Sequence, residues 1–145
     1  RRVLFRSGAG ARARRAGHVV DRGHLLQESQ TLPCAVDSLD ELLFAVRGDT
    51  RLRLDPALGF DFYATDLVLQ AQEAGLTSVV VDAYCEHWSD TPVEGKVPAT
   101  LARRIAASGA LFEAKWKHRL PVSTPCFDIA RPGDVQACAD ALAKA

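Results

Sequence analysis

The clearest hydrophobic pattern in the chain lies between residues 65 and 83. Apolar side chains recur with helical spacing from residue 67 to residue 74, which predicts a helix capped at its N-terminus by Thr65. Gly75 is expected to end this helix, because glycine readily adopts the left-handed backbone at a helix C-terminus. Residues 77–83 then form an apolar run centred on three valines, which predicts a fully buried strand. A helix followed at once by such a strand is typical of a layered α/β domain.

A second helix is predicted from Pro98 to about His118, since proline suits the first position of a helix. Gly109 weakens the middle of this helix by about 1 kcal/mol relative to alanine, so a kink or a break is allowed there. Pro121 ends the helix, and a short third helix is predicted for residues 134–144 after a Pro-Gly pair. Four large apolar residues fall on one side of the second helix and predict a stripe that faces the core: Leu101, Ile105, Phe112 and Trp116.

The first part of the chain carries weaker patterns. Residues 8–30 are rich in Arg, Gly and His and form a poorly defined segment, in which residues 18–20 predict a short strand whose partners are expected upstream. Residues 31–36 and 41–47 are apolar enough to predict buried strands or short helical pieces. Residues 48–59 contain the Gly-Asp and Asp-Pro pairs that are typical of a loop.

The composition is that of an ordinary globular domain. The chain has 145 residues, of which 48% are hydrophobic and 25% are charged, and this is enough to bury a core. No apolar run approaches the roughly 20 residues that a membrane-spanning helix needs, and the basic N-terminus lacks the apolar segment of a signal peptide. Basic residues interleaved with aromatic ones are absent, which argues against nucleic acid as a partner.

The first seven residues look foreign to the rest of the chain. Arg-Arg-Val-Leu-Phe-Arg-Ser is the translation of a string that resembles a common sequencing adapter, so residues 1–7 are interpreted as an artefact on a fragmentary gene. A native basic tail is the alternative. Without the three arginines of this segment the formal net charge changes from 0 to −3, and the absence of methionine agrees with a truncated reading frame.

The chain has four widely spaced cysteines, Cys34, Cys85, Cys126 and Cys138. They form no Cys-x-x-Cys pair, so a structural zinc site is not expected. Two disulfides are an open alternative, but nothing in the sequence marks a secreted protein. Reduced, mostly buried thiols in a cytoplasmic protein are therefore the preferred interpretation.

Three sequence blocks carry a family resemblance. They are Gly-Phe-Asp-Phe-Tyr-Ala-Thr-Asp-Leu-Val-Leu-Gln-Ala at residues 59–71, Val-Val-Asp-Ala-Tyr-Cys-Glu-His at residues 80–87, and Phe-Glu-Ala-Lys-Trp at residues 112–116 with Leu-Pro at residues 120–121. In this order, across about residues 31–126, the blocks resemble the second half of bacterial family 2 glycosyltransferases with the GT-A fold.

The resemblance implies a fold and a division of the chain. Residues 31–128 would form the acceptor-side part of a GT-A domain, an incomplete Rossmann-like, three-layer α/β sheet structure with flanking helices, and residues 129–145 would form a C-terminal helical tail. The half that binds the nucleotide-sugar would precede this part, so the fragment alone is expected to be inactive. Its sheet edge would be buried against that missing N-terminal half, which predicts an exposed apolar surface.

The activity that the resemblance implies is inverting transfer of a sugar from a nucleotide-sugar donor to a hydroxyl of a saccharide or lipid-linked acceptor. Asp66 matches the family's catalytic base, which takes the proton of the acceptor hydroxyl, and the N-terminal turn of a helix would help to keep it ionised. Many members carry an acidic pair here, whereas this chain has Ala64-Thr65-Asp66. Asp61 therefore remains the alternative base, and stabilisation of the helix N-terminus is the structural alternative for Asp66.

His87 matches the histidine that completes the coordination of a divalent cation, Mg²⁺ or Mn²⁺, in related GT-A enzymes. Such a cation would stabilise the departing nucleoside diphosphate, and its main ligands, an Asp-x-Asp motif, would lie in the missing part. A hydrogen-bonded structural histidine is the alternative. Aromatic faces bind sugar rings and carboxylates bind hydroxyls. Four such residues would line the acceptor groove: Asp61, Tyr63, Trp88 and Asp90. Packing in the fold is the alternative for Tyr63 and Trp88.

The resemblance also implies surroundings and partners. The protein is expected in the cytoplasm, including the inner face of the membrane, with peripheral membrane association and with no nucleic acid as a partner. A non-catalytic α/β module that binds a glycan or a partner protein is the second hypothesis. A small nucleotide-binding domain is disfavoured, because no Gly-x-Gly-x-x-Gly or P-loop motif follows a predicted strand.

Overall fold

The computed structural model describes residues 5–7, 14–27, 31–88 and 97–144 of the chain. These residues form a mixed α/β structure of three α-helices and four small sheets, which confirms the α/β class. In chain order the elements are β1 (Phe5–Ser7), β2 (Arg14–Ala16), β3 (His18–Asp21), β4 (His24–Gln27), β5 (Cys34–Ala35), α1 (Tyr63–Glu73), β6 (Val79–Val80), β7 (Glu86–His87), α2 (Ala99–Trp116), β8 (Val122–Ser123), β9 (Asp128–Ile129) and α3 (Asp134–Lys144).

The largest sheet of the described residues has three strands in the order β4-β3-β7. β3 pairs antiparallel with β4 through a two-residue turn at Arg22 and Gly23, whose φ angles of 50° and 78° are typical of tight hairpins. β3 also pairs in parallel with β7, which places Val20 opposite Glu86. The predicted strand at residues 18–20 is confirmed. The prediction that its partners lie upstream is wrong, because both partner strands, β4 and β7, follow β3 in the chain. The other sheets are the pairs β1-β2, β5-β6 and β8-β9.

Helix α1 begins earlier than predicted. Phe62, the residue before it, has a positive φ of 66° and stacks its ring on that of Phe112, with 5.2 Å between the ring centroids. Because this packing turns the chain into the helix, Thr65 lies inside the first turn, where its hydroxyl donates to the carbonyl of Leu39 at 3.5 Å. The prediction of Thr65 as the cap is therefore wrong. Gly75 has a φ of 70° just past the helix, which confirms the predicted end.

The apolar run at residues 77–83 forms a much shorter strand than predicted. Only Val79 and Val80 pair with β5, and alternate side chains of a strand point to opposite faces. Val80 is buried, whereas Val79 and Val81 are 49% and 55% exposed, because only the face of Val80 is packed against the described chain. The prediction of a fully buried strand is wrong for this reason. Residues 41–47 are neither helical nor paired with a described strand, so the prediction of a strand or a helical piece there is also wrong.

Helix α2 is continuous over 18 residues and buries the predicted apolar stripe. Ile105, Phe112 and Trp116 are buried and Leu101 is partly buried in one cluster with apolar residues of α1, β8, β9 and α3. The helix begins one residue later than predicted, so Pro98 is its N-cap and not its first residue. The main core of the described chain therefore lies between the helices and the short β8-β9 hairpin.

Helix α3 has the bounds that the sequence predicts, and it packs against α2. Gly109 lies at the crossing, where an added Cβ would be 2.1 Å from Cγ1 of Val135. Glu113, buried on α2, accepts the N–H of Gly133 at 2.8 Å and that of Val135 at 2.9 Å. N–H groups at the start of a helix lack partners within the helix, so this carboxylate satisfies them and complements the helix dipole. Gly109 thus serves helix packing, and α2 does not break there.

Cys126 is exposed, and the other three cysteines are half-buried. The prediction of mostly buried thiols is wrong, in the case of Cys126 because this residue lies in the turn between β8 and β9. No helix within the described ranges is long and apolar enough to cross a membrane.

Candidate functional site

Asp66 lies in the first turn of α1, and it is 0% exposed. Its Oδ1 accepts a hydrogen bond from Nε1 of Trp116 at 2.7 Å and contacts Nζ of Lys115 at 2.8 Å. Its Oδ2 accepts a hydrogen bond from Nε2 of Gln70 at 2.6 Å. A buried carboxylate is tolerated when it is paired and hydrogen-bonded, and these donors from α1 and α2 meet that requirement.

Lys115 links the carboxylate of Asp66 to the segment before α1. Its Nζ also contacts Oδ2 of Asp55 at 2.8 Å. Burial acts to lower the pKa of Lys115, but the hydrogen bonds to Asp55 and Asp66 together outweigh burial and raise that pKa. The hydrogen bond from Lys115 also lowers the pKa of Asp55, with a second contribution from the N–H of Ala57. The ammonium group therefore stays charged between two carboxylates at neutral pH.

Gln70 makes a second link between Asp66 and the same segment. Its Nε2 donates to the carbonyl of Arg53 at 2.9 Å, and its Oε1 accepts the N–H of Arg53 at 3.3 Å. Gln70 therefore binds Asp66 and Arg53 at once. Both links join Asp66 to residues 53–55, which precede the short 3-10 helix Pro56–Leu58.

Asp61 lies just before α1 and is occupied by an arginine. Its carboxylate accepts hydrogen bonds from Nε and Nη2 of Arg104 at 2.9 and 3.1 Å, and from Oγ of Ser108 at 3.4 Å. This bidentate pair raises the pKa of Arg104 through its hydrogen bonds to Asp61. The guanidinium carbon also lies 5.5 Å from the ring centroid of Phe60, which is exposed. Asp61 and Phe60 thus present a charged pair and an aromatic ring at the surface.

Tyr63 is the first residue of α1 and extends this surface. Its ring centroid is 6.0 Å from that of Phe44 and 6.1 Å from that of Phe60. Its hydroxyl donates to the main-chain carbonyl of Glu41 at 3.2 Å. Burial raises the pKa of Tyr63, and the acidic residues around it add to the shift. The three aromatic rings form a continuous group beside the Asp61 carboxylate.

Glu41 is a titratable group that the sequence analysis did not single out. Burial raises its pKa to about 8, with further contributions from the neighbouring carboxylates of Asp40 and Asp61. A carboxyl group with such a pKa exchanges its proton near neutral pH. The adjacent acids Asp40 and Glu41, placed before an apolar run, were the available sequence signal.

His87 lies on β7 beside an aspartate of β3. Its Nδ1 is 3.4 Å from Oδ1 of Asp21, and neither of these buried atoms has a hydrogen-bond partner among the described residues. A second pair, Nε2 of His18 and Oδ1 of Asp82, is 3.5 Å apart. The described ranges contain no group of three His, Cys, Asp or Glu side chains that could hold a metal ion. His87 and Asp21 together offer one ring nitrogen and one carboxylate oxygen at this place.

The predicted site residues fall into two places. Asp61, Tyr63 and Asp66 lie together at the start of α1, whereas His87 lies on the sheet that contains β3 and β7. Trp88 follows β7 and is 73% exposed. Asp90 lies outside the described residues.

An apolar cavity of about 610 Å³ lies between residues 42–52, α1 and the segment around β6. Its rim includes Leu43, Val79 and Val81, all of them exposed. The volume is within the range of small-molecule and docking sites. Asp66 does not line this cavity, so the cavity and the Asp66 carboxylate are separate features.

Several residues around the predicted site carry no role in the sequence analysis. Gln70 had a usable signal, because it follows Asp66 by four residues and so shares a face of the helix. The others come from segments distant in sequence, and only the fold brings them in: Asp21, Asp55, Arg104 and Lys115.

Comparisons of this chain with protein-family models, with curated proteins and with solved structures find no match.

Proposed function

We propose that the chain is the acceptor-side part of an inverting glycosyltransferase with the GT-A fold, which moves a sugar from a nucleotide-sugar donor to an acceptor hydroxyl. The observation that supports this proposal most is the contact between two of the resemblance blocks. Trp116 and Lys115 come from the block at residues 112–116, and both bind Oδ1 of Asp66 from the block at residues 59–71.

The two blocks are defined by sequence alone, and they meet in the fold. Trp116 and Asp66 are 50 positions apart, yet their side chains meet in a buried hydrogen bond of 2.7 Å. This contact brings the two blocks together around the carboxylate that the resemblance assigns as the base.

In the proposed reaction Asp66 is the general base. Its carboxylate accepts the proton of the acceptor hydroxyl while that oxygen forms a bond to the anomeric carbon, and the bond from that carbon to the nucleoside diphosphate breaks. The ammonium of Lys115 lies 2.8 Å from Oδ1 of Asp66 and is its counter-charge. Asp61 remains the alternative base, although Arg104 occupies both of its oxygens.

The acceptor would bind at the surface formed by Asp61, Tyr63 and the exposed ring of Phe60. Aromatic rings pack against the apolar faces of sugars, and a carboxylate with a paired guanidinium binds hydroxyls. Trp88 and Asp90 stay predictions for the same groove. A saccharide or a lipid-linked saccharide is the proposed acceptor, with peripheral membrane association and a cytoplasmic location, including the inner face of the membrane.

The residues present suit a partial site for Mg²⁺ or Mn²⁺. Nδ1 of His87 and Oδ1 of Asp21, which lie 3.4 Å apart and make no hydrogen bond among the described residues, are the nitrogen and oxygen donors that Mn²⁺ accepts. A bound cation would supply stabilisation of the negative charge on the leaving diphosphate. The further ligands would come from the donor-binding half, which is proposed to cover the apolar rim of the cavity around Leu43, Val79 and Val81.

The test uses the parent protein. Its gene is recovered by sequencing across the junction before residue 8, and the protein is then expressed. Release of nucleoside diphosphate from UDP-, GDP- and dTDP-sugars is measured in the presence of Mn²⁺ and candidate saccharides. Asp66→Asn is expected to slow the release by about 100-fold or more, because a general base contributes at least this factor. Asp49→Asn is the matched control, since this exposed carboxylate pairs with Arg47 alone among the contacts of the described chain.

Two results would overturn the proposal. One is a parent gene with no donor-binding half, and the other is an unchanged rate of release in Asp66→Asn. A non-catalytic module that binds a glycan or a partner protein is the second candidate, and the complete burial of Asp66 favours it. That candidate predicts saccharide binding that survives Asp66→Asn and is lost on Phe60→Ala.

A further inference from the structure

The carboxylate of Asp66 cannot meet a substrate hydroxyl in this arrangement, because the residue is 0% exposed and both of its oxygens are bound. Two of its three partners, Lys115 and Gln70, are also bound to residues 53–55. We call residues 53–55 the strap. The partners that close off Asp66 are therefore the groups that fasten the strap to the helices.

The strap is fastened by polar contacts with little apolar packing. Asp55 pairs with Lys115 at 2.8 Å, and the main chain of Arg53 exchanges two hydrogen bonds with the side chain of Gln70. Leu54, between them, is exposed. Ion pairs of partly exposed side chains contribute little stability, and segments with few buried apolar contacts open locally.

We propose that the strap is a releasable clamp on Lys115 and Gln70, and that its detachment frees both side chains to leave the carboxylate of Asp66 and open it to an acceptor hydroxyl. The meaning of this opening for catalysis rests on the proposed function, but the opening itself does not. Detachment returns the Asp66 carboxylate and the Lys115 ammonium to water, so hydration of both charges offsets the lost contacts.

Trp116 provides a direct probe of the strap. Its indole is 3% exposed, it donates to Oδ1 of Asp66, and Nζ of Lys115 lies 5.7 Å from its ring centroid. When Lys115 and the strap move away, the ring becomes accessible to a quencher. The chain has two tryptophans, so a Trp88→Phe background leaves Trp116 as the single fluorophore.

The experiment measures acrylamide quenching of this single-tryptophan chain at neutral pH. Asp55→Ala combined with Gln70→Ala is expected to raise the quenching constant at least about twofold, since both fastenings of the strap are lost. Asp49→Ala is the matched control, because it removes a nearby carboxylate that pairs with Arg47 outside the strap, and its quenching is expected to equal the background. An unchanged quenching constant in the double variant, with helical circular dichroism retained, overturns the proposal.

Amide hydrogen exchange of the unsubstituted chain keeps the test independent of variants that fail to fold. The N–H of Arg53, bound to Gln70, is expected to exchange through local opening, much faster than that of the buried Leu69 in α1 and with little dependence on low urea. Equal exchange of the two amides would overturn the proposal. Neither readout needs a sugar donor, so the strap and the proposed function can fail separately.

Discussion

Gly109→Ala is the substitution for which the sequence and the structure predict opposite signs. In an isolated helix the change stabilises, because alanine is favoured over glycine by about 1 kcal/mol at an interior position. In the folded chain the new Cβ would lie 2.1 Å from Cγ1, 2.6 Å from Cβ and 3.1 Å from Cγ2 of Val135. Carbon atoms in favourable contact are about 3.5–4.0 Å apart, so α2 and α3 would have to separate.

The net magnitude follows from these two contributions. Overpacking of a well-packed core costs about 1–3 kcal/mol, and contacts as short as 2.1 Å place this site at the upper end. With the helix preference subtracted, the free energy of unfolding is expected to fall by about 2 kcal/mol. In a Val135→Gly background the clashing atoms are gone, and Gly109→Ala is then expected to stabilise by about 1 kcal/mol.

The assay is urea unfolding followed by far-ultraviolet circular dichroism. Ala107→Gly, on the exposed face of the same helix, is the matched control, and its cost of about 1 kcal/mol calibrates the helix preference in this chain. A Gly109→Ala chain as stable as the original, or more stable, would refute the reasoning. So would an equal loss of stability in the presence and in the absence of the Val135 side chain, since the effect is assigned to that contact.

Three further predictions concern charged groups. Lys115→Met is expected to lower the free energy of unfolding, measured by urea titration, by about 2–3 kcal/mol. This loss is smaller than for a fully buried ion pair, because Lys115 is 34% exposed. A loss below about 0.5 kcal/mol would contradict the role of Lys115 as the counter-charge of buried Asp66. The pKa of Glu41 is raised from 4.5 to about 8, so its contribution to stability is complete below pH 4.5 and is lost as the pH rises to about 8. The free energy of unfolding should therefore fall by up to about 1.4 kcal/mol per pH unit between pH 5 and 8. Glu41→Gln should flatten this slope in unfolding experiments at several pH values. Glu113→Gln should lower the free energy of unfolding by about 1–2 kcal/mol and speed amide hydrogen exchange at the start of α3. The reason is that the N–H groups of Gly133 and Val135 lose their charged acceptor. Unaltered exchange at these amides would exclude this role of Glu113.

Some features of the fold were predictable because their causes are local. The end of α1 at Gly75 follows from the backbone freedom of glycine, and the positions of α2 and α3 follow from their periodicity and from the prolines before them. The buried stripe of α2 was predictable for the same reason, since residues three and four apart share a face of a helix. These features depend on neighbours along the chain.

Other features were not predictable from local patterns. Residues 77–83 are apolar enough for a buried strand, but burial needs a partner on each face, and only the face of Val80 is covered in the described chain. Threonine is a residue type that favours the N-cap position, yet the stacking of Phe62 on Phe112 starts the helix before Thr65. In both places tertiary packing overrides a correct local preference.

The candidate site divides along the same line. The sequence by itself determined that Asp61, Tyr63 and Asp66 cluster at the start of a helix, because they lie within six positions of one another. Only the tertiary structure decided that Asp66 is buried, that Lys115 and Trp116 bind it, and that the strap shares its partners. The physical reason is that the charge state and accessibility of a carboxylate depend on groups within a few ångströms in space, and here those groups come from segments far apart in the sequence.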